Sequence, residues 1–350
     1  MENKKSKYKI GIIGFFGFGT NLGGGQAVKT RSIYSFLKTK YNHEMIECFD
    51  TLNWKREPFR FFFRMIVFIH KCTNIVLLPA HKGIRIILPI ILFFNFFHKK
   101  NVIYPVVGGW LPDLSRKHCF FRNNLKNIDY IMVETAFMKK RLEQQGFKNI
   151  SLLRNAKDMN SIRANEISVL SSPLKVCTFS RIRADKGIAE AIKAVEIINN
   201  MNLFNIKLTI FGAIDSDSIE WFERMKVRFP SNVSYGGLVD TLRSVDTLKN
   251  YDVLLFPTKF KTEGFPGTIL DGLASGLVIV ASDIPSCREI LKDGQVGYLL
   301  SEPTPEKIVE AIIDIYNNPA KSMEYKKNAV NEYQLYTSDV IYNKLIDAIR

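Results

Sequence analysis

Two pairs of charged residues in the second half of the chain have types and spacings that suit a phosphorylated, hydroxyl-rich ligand. Arg181 and Lys186 lie five residues apart in a polar segment, so both can converge on one diphosphate. Charge-assisted hydrogen bonds of this kind contribute roughly 1.5–3 kcal/mol each. Glu263 and Asp271 are separated by seven residues, and carboxylates accept hydrogen bonds from sugar hydroxyls. Taken singly, a basic pair is more often solvated surface, and an acid before a helix more often complements the helix dipole.

Both pairs follow apolar runs that read as buried strands. Residues 175–180 precede Arg181, and residues 252–257 precede an acidic, glycine-rich turn that contains Glu263. A loop at the carboxyl end of a parallel strand that opens into a helix presents unpaired N–H groups to a ligand. We therefore expect Glu263 in the loop and Asp271 two turns into the next helix to face one crevice.

The 350 residues are too many for one typical core and suit two domains of roughly 150 residues. Apolar runs alternate with helical segments through both halves, which is typical of doubly wound parallel sheets. Residues 157–173 are polar and show no periodicity, so we place the hinge there. We predict domains over 1–165 and 166–325, and a helical segment over 326–350 that packs back toward the N-terminal domain.

The two motifs resemble those of retaining glycosyltransferases of family 4, whose GT-B fold consists of two facing Rossmann-like domains with a cleft between them. Arg181 and Lys186 match the R-x4-K motif of that family. Glu263 and Asp271 match its E-x7-E motif, with Asp in place of the usual second Glu. The motifs follow in the family's order, about eighty residues apart. The resemblance is strong over residues 175–300 and weak over the first 150.

The resemblance implies a role for each matching residue. Arg181 and Lys186 would neutralise the leaving nucleotide diphosphate, Glu263 would bind a hydroxyl of the donor sugar, and Asp271 would bind the nucleotide ribose. No metal and no cofactor besides the nucleotide-sugar substrate is expected. The loop residues expected to hold the sugar and the phosphates are Gly264, Phe265, Pro266, Gly267 and Thr268 in the second half, and Gly23, Gly24 and Gly25 in the first.

Two other motifs do not support a different chemistry. The glycine-rich turn over 17–25 lacks the dinucleotide fingerprint, because Leu22 stands where its third glycine is required. This disfavours an NAD-dependent dehydrogenase, although Asp50 stands where a ribose-binding acid would. Asp215 and Asp217 spell D-x-D, which we interpret as a polar turn and helix cap. On the residues alone, the glycine-rich turn is equally an ordinary strand-to-helix connection.

The basic excess is confined to the first half of the chain. Residues 1–170 hold 28 Lys and Arg against 11 Asp and Glu, a net charge of +17, whereas the whole chain carries +15. This favours an anionic partner: a membrane surface, a phosphorylated acceptor or nucleic acid. Nucleic acid has only the charge in its favour and is not expected. Residues 56–98 alternate aromatic runs with arginines and fit either buried helices of a Rossmann-like layer or helices in the membrane interface.

Five scattered cysteines without a C-x-x-C pair indicate reduced thiols rather than disulfides or a zinc site. No apolar signal region precedes the first strand, so we expect a cytoplasmic protein.

The expected function is retaining transfer of a sugar from a nucleotide diphosphate, with UDP as the expected nucleotide. The expected acceptor is a glycan, lipid-linked and reached at the inner face of a bacterial membrane, in the biosynthesis of surface polysaccharide such as capsule. The alternative is a catalytically degenerate homologue that serves as a partner of an active transferase. Gly108 and Gly109 leave that alternative open, because the family often has a His or an acid near them.

Overall fold

The computed structural model describes residues 9–17, 25–52, 56–260 and 262–350. Gly23 and Gly24 therefore lie outside the described residues. The chain divides into two compact units. The first contains Met1–Lys157, Thr262–Phe265 and Ser338–Arg350, and the second contains Asp158–Lys261 and Pro266–Thr337.

This division differs in two places from the boundaries expected from the sequence. The first unit ends at Lys157 rather than at residue 165. Residues 326–337 belong to the second unit, and only Ser338–Arg350 group with the first. The reason for the second difference is packing, since Ala329, Val330 and Tyr333 are buried within the second unit.

The first unit contains a parallel sheet of six strands among its described residues. The strands are β1 (Ile10–Gly14), β2 (Ile46–Asp50), β3 (Asn74–Leu77), β4 (Asn101–Pro105), β5 (Tyr130–Val133) and β6 (Ile150–Leu152). Their order across the sheet is β2-β1-β3-β4-β5-β6, and every pair is parallel. Strands β1, β3 and β4 are buried at every position, as expected for a sheet that is covered on both faces.

Helices connect these strands. Helix α2 begins with a proline, Pro58, whose missing N–H costs nothing in the first turn of a helix. The helices are α1 (Gly25–Lys40), α2 (Pro58–Lys71), α3 (His81–His98), α4 (Leu111–Lys117), α5 (Cys119–Lys126) and α6 (Ala136–Glu143).

The aromatic helices α2 and α3 are each buried on one side only. Met65, Phe68 and Ile69 of α2 and Ile84, Ile87, Leu88 and Ile91 of α3 lie in the core of the first unit. Other apolar residues of the same helices, such as Phe63 and Phe96, are exposed. The interpretation of residues 56–98 as buried helices is therefore correct for the core-facing residues, and the interpretation as membrane-interface helices stays a prediction. No helix within the described ranges combines the length and apolar character that crossing a bilayer requires.

The second unit repeats the parallel arrangement within its own described residues. Its strands are β7 (Leu174–Phe179), β8 (Ile206–Phe211), β9 (Val233–Gly237), β10 (Val253–Phe256), β11 (Val278–Ser282) and β12 (Gly297–Leu300). Their order is β12-β11-β10-β7-β8-β9, again with parallel pairs. Strands β7, β10 and β11 are neighbours, so the loops at their carboxyl ends lie side by side.

The helices of the second unit are α7 (Ile188–Asn200), α8 (Ile219–Lys226), α9 (Ser244–Leu248), α10 (Gly267–Ala274), α11 (Pro285–Leu291), α12 (Pro305–Asn317) and α13 (Pro319–Tyr333). Two short helices then follow in the first unit, α14 (Ser338–Ile341) and α15 (Asn343–Ala348).

The last two helices replace a single helix that the sequence predicts over 337–349. Tyr342 lies at the break and is fully buried. Its ring packs edge-on against Phe36, and its hydroxyl lies 3.3 Å from Oγ of Ser32. The backbone of Tyr342 is right-handed helical and its N–H donates to the carbonyl of Ser338 at 2.8 Å, so the predicted helix is interrupted at this one residue only.

A buried ion pair joins distant segments of the second unit. Nζ of Lys326 in α13 lies 3.1 Å from Oδ1 of Asp252, and both side chains are at most 3% exposed. The Asp252 carboxylate also accepts hydrogen bonds from the backbone N–H groups of Ser171 and Lys175 at 3.2 and 3.0 Å. Helix α13 and the starts of β7 and β10 thus meet at one carboxylate.

We predict that Lys326→Met lowers the free energy of unfolding by about 3–5 kcal/mol, because it leaves a buried carboxylate without its cation. Urea unfolding measures this loss. The double change Lys326→Met with Asp252→Asn removes both charges and is expected to recover most of it. A loss below about 1 kcal/mol in the single variant would show that solvent reaches Asp252.

Candidate functional site

The segment between β7 and α7 carries the predicted basic pair. Ile182 is fully buried and forms a parallel bridge with Ile214, which fixes the backbone on either side of it. Nη1 of Arg181 lies 3.1 Å from Oδ1 of Asp215, and the Arg181 side chain is 50% exposed. Asp215 stands at the N-cap position of the short 3-10 helix Ser216–Ser218, as the sequence predicts, but its side chain makes no cap hydrogen bond. Its carboxylate is engaged by arginine instead.

A third cation, Arg183, belongs to the same cluster and was not predicted. Its Nη2 lies 2.5 Å from Oδ2 of Asp185, and its Nε lies 3.8 Å from Oδ2 of Asp215. The signal in the sequence was the alternation Arg-Ile-Arg in an extended segment, which places the two arginines on one side of the buried isoleucine.

Lys186 reaches the same edge through an aromatic ring. Its Nζ lies 5.0 Å from the ring centroid of Phe260, and Cζ of Arg183 lies 5.1 Å from that centroid. Both distances are within the range of cation–π attraction. Phe260 follows β10, so a ring after β10 contacts two cations that follow β7. We call Arg181, Arg183 and Lys186 the cationic cluster.

Gly187 makes the close approach of these two loops possible. Its φ is +73°, and a Cβ atom there would lie 2.1 Å from the carbonyl oxygen of Pro257. The backbone N–H of Lys259 donates to the carbonyl of Asp185 at 2.7 Å, which joins the loops directly. Only glycine combines this backbone conformation with this contact.

The amino end of α10 lies at the same edge of the sheet. Oγ1 of Thr268 donates to the carbonyl of Phe179, the last residue of β7, at 2.6 Å. The first turn of α10 contains no acidic residue, and a Cβ atom on Gly267 would meet nothing within 4 Å. Since the first amides of a helix have no partner in the helix, this end is electropositive and open to an anion. Pro266 is the residue that precedes the helix.

Asp271 lies in the second turn of α10 and is 2% exposed. Burial raises the pKa of the neighbouring Tyr333 to about 12, and the charges of Asp158 and Asp271 add to that shift. The Asp271 side chain is therefore enclosed near α13 rather than presented on an open surface.

Glu263, Gly264 and Phe265 group with the first unit, in the segment Thr262–Phe265. The backbone N–H of Phe265 donates to Oε2 of Glu134 at 3.0 Å, and its carbonyl accepts from Nδ2 of Asn155 at 2.6 Å. Both backbone polar groups of Phe265, the last residue of the segment, are therefore hydrogen bonded to side chains. Gly25, the remaining predicted residue, is the first residue of α1.

Gly108 and Gly109 contact this same segment. The N–H of Gly109 donates to the carbonyl of Thr262 at 3.3 Å. A Cβ atom on Gly109 would lie 2.8 Å from the carbonyl oxygen of Glu263, a distance that real Cβ atoms do not adopt. Packing against this segment therefore requires glycine at 109, whereas Gly108 is favoured by its backbone conformation, with φ of +85°.

The described ranges contain no group of three or more His, Cys, Asp or Glu side chains arranged to hold a metal ion. The candidate site of the second unit consists instead of the cationic cluster and the amino end of α10.

Solved structures define the class of fold. The structure of Anabaena HepE in complex with UDP-glucose aligns with a TM-score of 0.75 at 14% identity, over 97% of this chain and 98% of that one. Sucrose-phosphate synthase from Thermosynechococcus elongatus aligns with a TM-score of 0.72 at 13% identity, over 97% and 98%. With two parallel six-stranded sheets, the fold is GT-B.

Sequence comparisons relate the second half of the chain to a known family. Residues 163–332 match the model of the glycosyl transferases group 1. An uncharacterized glycosyltransferase of Methanocaldococcus jannaschii is 26% identical over 256 residues, which cover 67% of this chain and 64% of that protein. A phosphatidyl-myo-inositol mannosyltransferase of Mycobacterium tuberculosis is 27% identical over 110 residues, 31% of this chain and 28% of that protein. These matches span less than two thirds of each relative. Residues 163–332, just under half of the chain, therefore carry the group 1 glycosyltransferase region, in a chain with the GT-B fold.

We predict that Gly187→Ala destabilises the second unit by at least about 1–3 kcal/mol, because it adds strain at positive φ to the overlap with Pro257. The loss of stability is measured as a fall in the midpoint of thermal unfolding, monitored by circular dichroism. The matched control is Gly267→Ala, whose new methyl group meets open space and is expected to cost nothing. Equal shifts for both variants would contradict the close approach.

Proposed function

We propose that the protein is a retaining glycosyltransferase that transfers a sugar from a UDP-sugar to a glycan acceptor. The observation that carries this proposal lies within the second unit. The cationic cluster and the amino end of α10 share one sheet edge, and Thr268 is hydrogen bonded to the residue that ends β7. An edge of this kind suits a diphosphate. The choice of UDP draws support from the fold likeness to a UDP-glucose complex.

The exposed ion pair of Arg181 is compatible with ligand binding. Asp215 and Arg181 are 24% and 50% exposed, so water already competes for their interaction. A bound diphosphate would replace Asp215 as the partner of the guanidinium. Lys186, held over Phe260, would neutralise a second oxygen of the same group.

The proposed reaction breaks the bond between the anomeric carbon and the diphosphate oxygen and forms a bond from that carbon to the acceptor hydroxyl oxygen. Attack occurs on the face that the diphosphate leaves, so the hydroxyl proton passes to the departing phosphate. Arg181 and Lys186 stabilise the negative charge that develops on the diphosphate. Glu263 would bind a sugar hydroxyl, Asp271 would bind the ribose once its enclosure opens, and no metal would be needed.

The alternative of a degenerate homologue loses its main support. That reading depended on Gly108 and Gly109, and both have a structural explanation: φ of +85° at Gly108, and packing against the Glu263 segment at Gly109. Arg181, Lys186 and Glu263 are all present in the chain.

We predict that Arg181→Ala and Lys186→Ala each lower kcat/KM for sugar transfer roughly 10- to 150-fold, the loss expected for one charge-assisted hydrogen bond. The measurement is release of UDP from a panel of UDP-sugars, together with calorimetric binding of UDP. The control is Arg224→Ala, which removes an exposed arginine paired with Glu220 in the same unit. Near-normal turnover and UDP affinity in both test variants would remove the diphosphate assignment.

We further propose that the acceptor is lipid-linked and that the first unit docks on the inner face of the membrane during synthesis of a surface polysaccharide. Six aromatic residues of α2 and α3 form a continuous chain of ring contacts, with centroids 5.3–6.4 Å apart. Four of them are at least 64% exposed. We call this surface the aromatic ridge; its members are Phe62, Phe63, Phe93, Phe94, Phe96 and Phe97.

Charge supports a membrane as the occupant of the aromatic ridge. Arg60 and Arg64 lie on α2 among the ridge residues, and Lys99 and Lys100 follow the end of α3. Basic residues at an anionic surface contribute about 1 kcal/mol each, and aromatic side chains favour the interface. The protein would then reach a lipid-linked acceptor while it stays bound to the membrane surface.

We predict that the triple variant Phe93→Ser, Phe96→Ser and Phe97→Ser loses most of its co-sedimentation with anionic vesicles, because it removes apolar area that inserts. Binding of the unchanged protein is expected to fall as salt rises. The control is Val227→Ser with Leu242→Ser, two apolar residues of the second unit that are 87% and 89% exposed. Equal recovery of the triple variant and the unchanged protein would refute docking through the ridge.

A further inference from the structure

A second buried ion pair lies in the first unit, between α1 and the residue after β5. Lys29 is 4% exposed and Glu134 is 1% exposed. Nζ of Lys29 lies 2.7 Å from Oε1 of Glu134 and donates to the carbonyl of Val106 at 2.8 Å. Burial lowers the pKa of Lys29, and the charge of Glu134 opposes that shift. Neither residue has a place in the family motifs described above.

The other oxygen of Glu134 binds two backbone amides from separate loops. Oε2 accepts from the N–H of Phe265 at 3.0 Å and from the N–H of Gly108 at 3.2 Å. One carboxylate therefore holds the loop that follows β4 and the segment that carries Glu263. Lys29 supplies a cation beside this buried carboxylate.

The packing around this carboxylate leaves the segment little room to move. A Cβ atom on Gly264 would lie 2.3 Å from Oε2 of Glu134 and 2.8 Å from Cα of Gly108. Glycine is thus required at the residue after Glu263. The backbone on both sides of Gly264 is fixed by hydrogen bonds, at Thr262 to Gly109 and at Phe265 to Glu134.

Stability alone does not explain a charged pair at this position. Burying two charges costs desolvation that their attraction only partly offsets, and an apolar replacement of similar volume is often at least as stable. An apolar pair would provide no acceptor for the N–H groups of Gly108 and Phe265. We therefore explain the Lys29–Glu134 pair by its effect on the placement of that backbone.

We propose that Glu134 and Lys29 are positioning residues that set the backbone of the Glu263 segment for recognition of the donor sugar. This inference rests on the proposed function, in which Glu263 binds a sugar hydroxyl. It adds that a carboxylate of the first unit, remote in sequence from both family motifs, controls the sugar selectivity of the protein. The diphosphate contacts, which belong to the cationic cluster, do not depend on it.

The test uses the double variant Glu134→Gln with Lys29→Met, which removes both charges and keeps the approximate volume. The first readout is hydrogen exchange of the peptide that contains Phe265, which we expect to become at least about tenfold faster because a neutral amide accepts more weakly. The second is calorimetric affinity. We expect the bound UDP-sugar to lose roughly 10- to 100-fold in affinity, while free UDP stays within about twofold.

The matched control is the double variant Lys326→Met with Asp252→Asn, which removes the buried pair of the second unit. It is expected to leave both the exchange of the Phe265 peptide and the ratio of the two affinities unchanged. A merely structural role of Glu134 would lower stability and both affinities together, and that result would overturn the proposal. Unchanged exchange in the Glu134 variant would overturn it as well.

Failure of the proposed function gives a different pattern. If the unchanged protein binds neither UDP nor any UDP-sugar, the proposed function is wrong and the sugar-recognition part of this inference is overturned with it. The exchange measurement needs no ligand and decides the anchoring of the segment by itself. If the unchanged protein binds UDP-sugar and the Glu134 variant binds it equally well, only the positioning inference is overturned.

Discussion

Both faces of a parallel sheet are covered by helices, so its strands carry apolar side chains. Polar side chains from different strands can therefore come together only at the ends of the strands. Strand β10 lies between β7 and β11, and both β10 and β11 are buried at every position. The loops after β7 and β10 are consequently pressed together, to the point that Gly187 has no room for a Cβ atom. The cationic cluster and the amino end of α10 are adjacent because of this constraint, although more than sixty residues of chain separate them.

The protein uses ion pairs in two physically different ways. Each unit contains a buried lysine–carboxylate pair among its described residues, and each carboxylate, Asp252 or Glu134, also accepts hydrogen bonds from two backbone N–H groups. These hydrogen bonds hold together segments that are distant in sequence. The pair of Arg181 and Asp215 is half-exposed and hence weak, so a stronger anion can displace the aspartate. Buried pairs hold the framework, and the exposed pair is available to a ligand.

The first unit carries the basic excess of the chain together with its exposed aromatic side chains. An exposed, contiguous apolar surface is uncommon on a protein without a partner for it. One side of α2 and of α3 packs into the core of the first unit, and other residues of the same two helices form the aromatic ridge. The proposal of a lipid surface as its partner rests on this combination of positive charge and apolar surface.

The sequence by itself determined the alternation of strands and helices, the two-sheet class and the positions of the basic and acidic motifs. Those features are local: apolar runs bounded by turns define buried strands, and motif spacing needs no tertiary information. It did not determine that Tyr342 lies between two short helices of the predicted segment 337–349, or that its ring packs against Phe36.

Only the tertiary structure decided which groups surround the motifs. Asp215 pairs with arginines of the cationic cluster because the bridge between Ile182 and Ile214 brings their segments together, and Glu134 meets Phe265 across 131 residues of chain. Asp271 was predicted at the correct place on a helix, yet its enclosure near Tyr333 depends on where α13 packs. Contacts between residues distant in sequence leave no periodic signal, since a buried Lys or Glu reads in the sequence like any solvated one. For that reason the structure was needed to find the anchor of the Glu263 segment.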